Sequence, residues 1–176
     1  MSERSTICLT VLGRERPGIV AAITGILYDT DCNIRDSTMT ILAGEFVMLL
    51  IVELPESITS AHLDQALAEV QRRFDLSVFI KRLTEDELRY EQPHGTKNWA
   101  VTIYGGDRKG IVHHVASVMA RKGISITELK TKVVPGLTGV GIVSMKVLAP
   151  SEVELQIIRE QLNEVAARFG VEVSVG

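Results

Sequence analysis

The chain repeats itself. Gly13-Arg14-Glu15-Arg16-Pro17-Gly18-Ile19-Val20 is answered by Gly105-Gly106-Asp107-Arg108-Lys109-Gly110-Ile111-Val112, each position 92 residues further on. Both stretches follow an apolar run that reads as a strand and precede a periodic pattern that reads as a helix. A unit of strand, glycine-bearing turn and helix, written twice in 176 residues, restricts the chain to two copies of one small domain. Each copy then has roughly 75–80 residues, near the lower end of what folds alone, so packing against another domain is expected to help it. The paired loops, and the space between copies, are where function is to be sought.

In the first copy, residues 7–12 are nearly all apolar, as a strand at the centre of a sheet requires, and Gly13 is expected to end the run. Pro17 suits the first turn of a helix, where a missing N–H costs nothing. Ile19, Ile23, Ile26 and Leu27 recur at helical spacing before the pattern fades at 29–31. Residues 33–42 mix polar and apolar side chains and suit an edge strand. Ala43-Gly44-Glu45 marks a hairpin, 46–52 a second central strand, Leu63, Leu67, Val70 and Phe74 a second helix, and 76–83 the last strand. The second copy follows with strands at 99–104, 125–134, 140–148 and 171–175. Ile111, Val115, Val118 and Met119 mark its first helix and Ile158, Leu162, Val165 and Phe169 its second. Its hairpin loop, 135–139, absorbs a small insertion. Pro150-Ser151 is expected to open the second helix, with Ser151 and Glu154 at capping-box spacing.

Each copy is thus β-α-β-β-α-β. The expected fold class is α+β: two tandem ferredoxin-like domains, each a four-stranded antiparallel sheet with both helices on one face and its first and third strands central. The copies are placed at 1–83 and 98–176, with a linker at 84–97 that contains a short helical turn near 85–89. One surplus remains. Ile7-Cys8-Leu9 and residues 47–51 are apolar on both faces of their strands, whereas a sheet with one solvated face should alternate. The other copy or another chain must cover the excess, so a homo-oligomer is expected.

Composition narrows the function classes. A net charge of −3 disfavours broad contact with nucleic acid, which wants a basic face. The third strand lacks the aromatic platforms of RNA-recognition domains. No apolar stretch approaches a membrane span. The N-terminus lacks a signal-peptide core, so a cytoplasmic protein is expected. Cys8 and Cys32 read as free thiols. No metal-ligand spacing, phosphate-binding glycine loop or nucleophile motif is present, so neither a cofactor, a metal nor an enzymatic activity is expected. His113-His114 are adjacent on a helix, about 100° apart, and make a poor chelate. His62 and His94 are isolated. Trp99 reads as a packing anchor, and Tyr104 is a candidate border of the loop site.

The two loops carry the candidate chemistry. Unpaired N–H groups and the dipole at a helix N-terminus attract an anion, and Gly18 and Gly110 permit close backbone approach. Glu15 and Asp107 either cap the helix or accept a ligand ammonium. At the far end of each first helix, Asn33-Ile34 and Ser125-Ile126 either finish the helix or hydrogen-bond a ligand that lies against a neighbouring loop.

Glu15-Arg16-Pro17-Gly18-Ile19 with Asn33-Ile34, and Asp107-Arg108-Lys109-Gly110-Ile111 with Ser125-Ile126, resemble the ACT domain, a small regulatory module whose pattern is Asp-Arg-Pro-Gly-Ile followed by Asn-Ile. A stand-alone pair of such domains is similar to the glycine cleavage system transcriptional repressor group. The resemblance implies an amino acid or similar small ligand bound between paired domains, with these residues as its contacts. It also implies a regulatory role exerted through a partner such as a DNA-binding regulator. Copy one departs by Glu15, copy two by Lys109 and Ser125, so copy one, which keeps Asn33, is expected to be the better contact. The alternative is a structural interaction module whose loops stay empty.

Overall fold

A computed structural model describes residues 5–89, 95–106, 108–133 and 140–176. The chain divides into two compact units, 1–90 and 91–176. The first contains β1 (Ser5–Arg14), α1 (Ile19–Asp29), β2 (Asn33–Leu42), β3 (Glu45–Leu54), α2 (Ser60–Phe74), β4 (Ser77–Leu83) and the single-turn α3 (Glu85–Leu88). The second contains β5 (Thr96–Gly106), α4 (Ile111–Arg121), β6 (Ser125–Val133), β7 (Val140–Pro150), α5 (Leu155–Phe169) and β8 (Val171–Val175).

The sheets run β2-β3-β1-β4 and β6-β7-β5-β8, antiparallel throughout. The first and third strands of each unit are therefore central, as their apolar sequences require. Burial alternates along them. Ile7, Leu9 and Val11 of β1 and Phe46, Leu50 and Val52 of β3 are fully buried, and they pack with Ile23 and Leu27 of α1 and Leu63 and Leu67 of α2. Val101, Met145 and Val147 meet Val115, Met119, Ile158 and Leu162 in the same way in the second unit. Each such side chain contributes about 1.5–3 kcal/mol by leaving water, which is what holds helices whose isolated stability would be marginal.

Several boundaries differ from the sequence reading. β1 and β5 run on through Gly13-Arg14 and Gly105-Gly106, because β3 and β7 extend far enough to pair with them. β5 also begins at Thr96, inside the expected linker. Pro17 is not in the first helical turn: Gly18 is the N-cap of α1, in the left-handed region at φ 98°, and Gly110 repeats this for α4 at φ 94°. Ser151 builds no capping box; β7 runs to Pro150, a turn follows, and Glu154 is the N-cap of α5. The capping box sits instead at Thr84 and Glu87 of α3. The edge strands β2 and β6 carry a register shift at the same place, between Ile34 and Asp36 and between Ile126 and Glu128. The 135–139 hairpin loop lies outside the described residues.

The faces turned away from the helices differ sharply. In the first unit the paired rows are Cys8 with Ile51 and Lys81, Thr10 with Leu49 and Phe79, and Leu12 with Val47 and Ser77. Leu12, Leu49 and Phe79 are 40%, 38% and 61% exposed. The matching rows of the second unit are Ala100 with Lys146, Thr102 with Ser144 and Ser174, and Tyr104 with Ile142 and Glu172. There Glu128 pairs with Lys146 at 2.7 Å and also with Lys130. These two ammonium groups hold the Glu128 carboxyl well below its ordinary range, at about 2. The first open face is apolar along β3, with Lys81 of β4 and Asp36, Thr38 and Thr40 of β2 on its outer strands, and the other is built for water.

Candidate functional site

Each first helix starts on a glycine because the chain must leave the sheet and reverse within four residues. The amide of Ile19 reaches back to Arg16 O at 3.4 Å and that of Ile111 to Arg108 O at 3.2 Å. Such a tight turn puts its third residue, Gly18 or Gly110, at positive φ, where a side chain is strained. No side chain caps α1 or α4 among the described residues, so the amides of Val20 and Ala21, and of Val112 and His113, point outward from the first turn with no helical partner. Glu15, half-buried, uses its backbone N–H on Gly44 O at 2.9 Å, and its carboxylate does not serve as the cap. Arg16, Pro17 and Gly18 are exposed, whereas Ile19 is buried. Arg108 and Lys109 are exposed, Gly110 is half-buried and Ile111 is buried. Asp107 lies outside the described residues.

The second loop stands over a cavity of about 230 Å³. Arg108, Lys109 and Gly110 line its mouth, and Ile103, Ile111, Val112, Val143 and Val171 its apolar wall. Gly105, Gly106 and Gly141 give it bare backbone, and Thr131 and Val133 border it from the edge strand. The sequence reading favoured the first copy; the cavity lies in the second. Tyr104 pairs with Ile142 and Glu172, which places it on the opposite face of the sheet from the cavity.

His114 supports the second loop from inside α4. Its Nδ1 lies 2.9 Å from Gly110 O, and since a carbonyl only accepts, Nδ1 carries the proton. The ring meets Phe169 edge-on with centroids 5.0 Å apart. His113 is exposed beside it, and no group of three or more His, Cys, Asp or Glu among the described residues could hold a metal ion. Trp99 is buried in the second core. Cys8 and Cys32 are free, and burial pushes the Cys32 thiol above its ordinary range.

Asn33 and Ile34 are exposed, as is Ser125, while Ile126 is half-buried. Asn33 opens onto a shallow recess with Asp31, Glu53, Pro55 and Glu56. The structure does not bring it to the loop of its own unit. Asn33 pairs with Glu53 at one end of β3, while the glycine turn sits by Glu45 and Phe46 at the other. Some seven strand residues separate them, about 20 Å.

The ACT-domain family profile matches residues 5–81. A UPF0237 protein of Methanosarcina mazei is 36% identical over 87 residues, spanning 49% of this chain and 92% of that protein. The chain belongs to the ACT-domain family. Both its units have the antiparallel sheet and paired helices of that fold. The glycine cleavage system transcriptional repressor of Escherichia coli is 25% identical over 135 residues, which cover 77% of this chain and 68% of the repressor. The crystal structure of an unknown protein from Galdieria sulphuraria superimposes over 98% of both chains with a TM-score of 0.79 and 26% identity. The tandem arrangement of ACT domains is thus shared along the whole chain. No described helix is long and apolar enough to cross a membrane.

Proposed function

We propose that this is a non-catalytic, cytoplasmic regulatory protein. It binds an amino acid or similar small ligand at its glycine turns and regulates amino-acid metabolism through a partner protein, in the manner suggested by its repressor relative. The observation that carries this reading is the pair of uncapped helix starts, each on a glycine at positive φ, one of them over a cavity. Outward amides and the helix dipole suit a carboxylate. The separation of Asn33 from its own loop means that a ligand touching both kinds of residue must lie between two units or two chains. Binding there would bias how the units pack, and a partner would read that bias.

The apolar open face of the first sheet supports self-association. The strands pair over ten residues between β1 and β3 but over seven between β1 and β4, a face of about 19 by 27 Å, so two copies packed face to face would bury about 1,000 Å², at the lower limit of what a specific interface needs. A second copy of the same face is the favoured occupant, because its apolar residues run along β3 while Lys81 and the row of Asp36, Thr38 and Thr40 lie on the outer strands; the second unit's face, with its lysines and Glu128, would be desolvated at a cost.

A thermal-shift screen over the common amino acids, with Asn33→Ala as the comparison, tests the ligand. A stabilising ligand supports the reading, and an effect that falls at least threefold in Asn33→Ala would put that ligand against Asn33 as well. No shift with any amino acid favours a structural interaction module with empty loops.

A further inference from the structure

The hollow in the second unit is a difference between two copies of one pattern. Gly105 pairs with Gly141 as Gly13 pairs with Phe46, so Gly141 stands where the first copy buries a phenyl ring. The neighbours have shrunk as well. Val143 replaces Met48, Val171 replaces Leu76 and Thr131 replaces Met39, and all three line the cavity. What grows does not line the hollow, apart from Val11 becoming Ile103: Ala22 becomes His114, whose ring lies against Phe169 and Gly110 O, and Ile7 becomes Trp99, further along the strand. A hollow with apolar walls and a polar mouth suits a small ligand that carries both kinds of group, and dry apolar cavities of about 150 Å³ already admit a benzene ring. This one is about 230 Å³ and opens under Arg108 and Lys109.

We infer that the second unit alone holds a ligand inside its own fold, between α4 and the sheet: a small carboxylate bearing a compact apolar group, branched aliphatic or a single ring. The apolar group takes the place of the missing phenyl ring. The carboxylate stays at the mouth, against Arg108, Lys109 and the first-turn amides of α4. Phe46 closes the same position in the first unit, so the two copies are not equivalent and one ligand binds per chain within a unit. The inference rests on the small-ligand reading above and adds the ligand's chemistry and the copy that takes it.

The test titrates the full chain calorimetrically with L-leucine, glycine and 4-methylpentanoate, which is leucine without its ammonium. Gly141→Phe and the smaller filler Gly141→Val are titrated alongside, with circular dichroism to establish folding. The expected result is one leucine per chain, glycine at least tenfold weaker, and leucine binding weakened at least tenfold in Gly141→Phe and in between in Gly141→Val. Gly141→Phe should melt no lower than the parent, because the first copy already accommodates that ring. If Gly141→Phe does not fold, Gly141→Val decides alone. Glycine and leucine binding equally, indifferent to either filler, overturns the inference and leaves the amino-acid reading standing. If 4-methylpentanoate binds, is blocked by the fillers and no amino acid binds, the inference stands and the amino-acid reading falls. No binding by any probe overturns both.

Discussion

Phe46 is fully buried among β1, β3 and the helices of the first unit, at the position the second unit leaves to Gly141. Truncation of a buried phenylalanine to alanine costs about 3–5 kcal/mol, the loss of transfer free energy plus the cavity left behind. The whole stability of a unit this size, at about 0.05–0.15 kcal/mol per residue, is of order 4–13 kcal/mol. Phe46→Ala should therefore remove about a quarter or more of the first unit's stability. With a urea slope of about 1–1.5 kcal/mol/M for so small a domain, the midpoint should fall by about 2 M or more. The assay is urea unfolding followed by far-ultraviolet circular dichroism. Trp99, the one tryptophan of the chain, lies in the second core and reports that unit's unfolding separately. A loss below about 1 kcal/mol would refute the reasoning: the first core would then collapse around the gap, and a missing ring at Gly141 could not by itself keep a cavity open.

Gly18→Ala and Gly110→Ala force a side chain into the left-handed region at φ 98° and 94°. Each should cost about 1–2 kcal/mol, read as a lowered thermal midpoint. The Glu128 carboxyl, held at about 2 by Lys130 and Lys146 against an ordinary 4.5, should titrate near pH 2 by carbon-detected NMR. Its folded pKa is depressed, so its contribution to stability is full above about 4.5 and is lost as pH falls toward 2; replacing both lysines by glutamine should return the titration toward 4.5. Leu49→Glu with Phe79→Glu places two carboxylates on the apolar open face of the first sheet and should convert a dimer to a monomer in sedimentation velocity. An unchanged sedimentation coefficient would place the contact between copies elsewhere.

The architecture was legible because strands and helices wrote their periods plainly. Residues 46–52 and 7–12 are too apolar for an edge, and 33–42 too polar for a centre, which agrees with the strand order that right-handed crossovers impose. The surplus of apolar side chains at Cys8, Val47, Leu49 and Ile51 announced the uncapped face of the first sheet. The helix starts were less legible. Pro17 suits a first turn, but the chain must reverse at Gly18, and the positive φ there moves the N-cap one residue past the proline. Ser151 had the spacing for a capping box, but pairing of β5 with β7 holds the chain in the sheet as far as Pro150, leaving Ser151 in the turn. The cavity was hidden for a different reason. Gly141 falls inside the expected strand at 140–148, and nothing local marks it as a missing side chain. Only the second half's offset of 95 residues, set by the hairpin insertion, aligns it with Phe46. The separation of Asn33 from its own glycine turn likewise depends on strand direction, which a local motif does not state.

The most direct test of a small ligand held at the second glycine turn is a nitrogen-15 NMR titration of the full chain with L-leucine. The account predicts saturable shifts at Gly110, Ile111, Thr131, Gly141 and Val143, with Gly18, Phe46 and Met48 unmoved. Shifts of equal size in both copies, or none at the second turn, would contradict it.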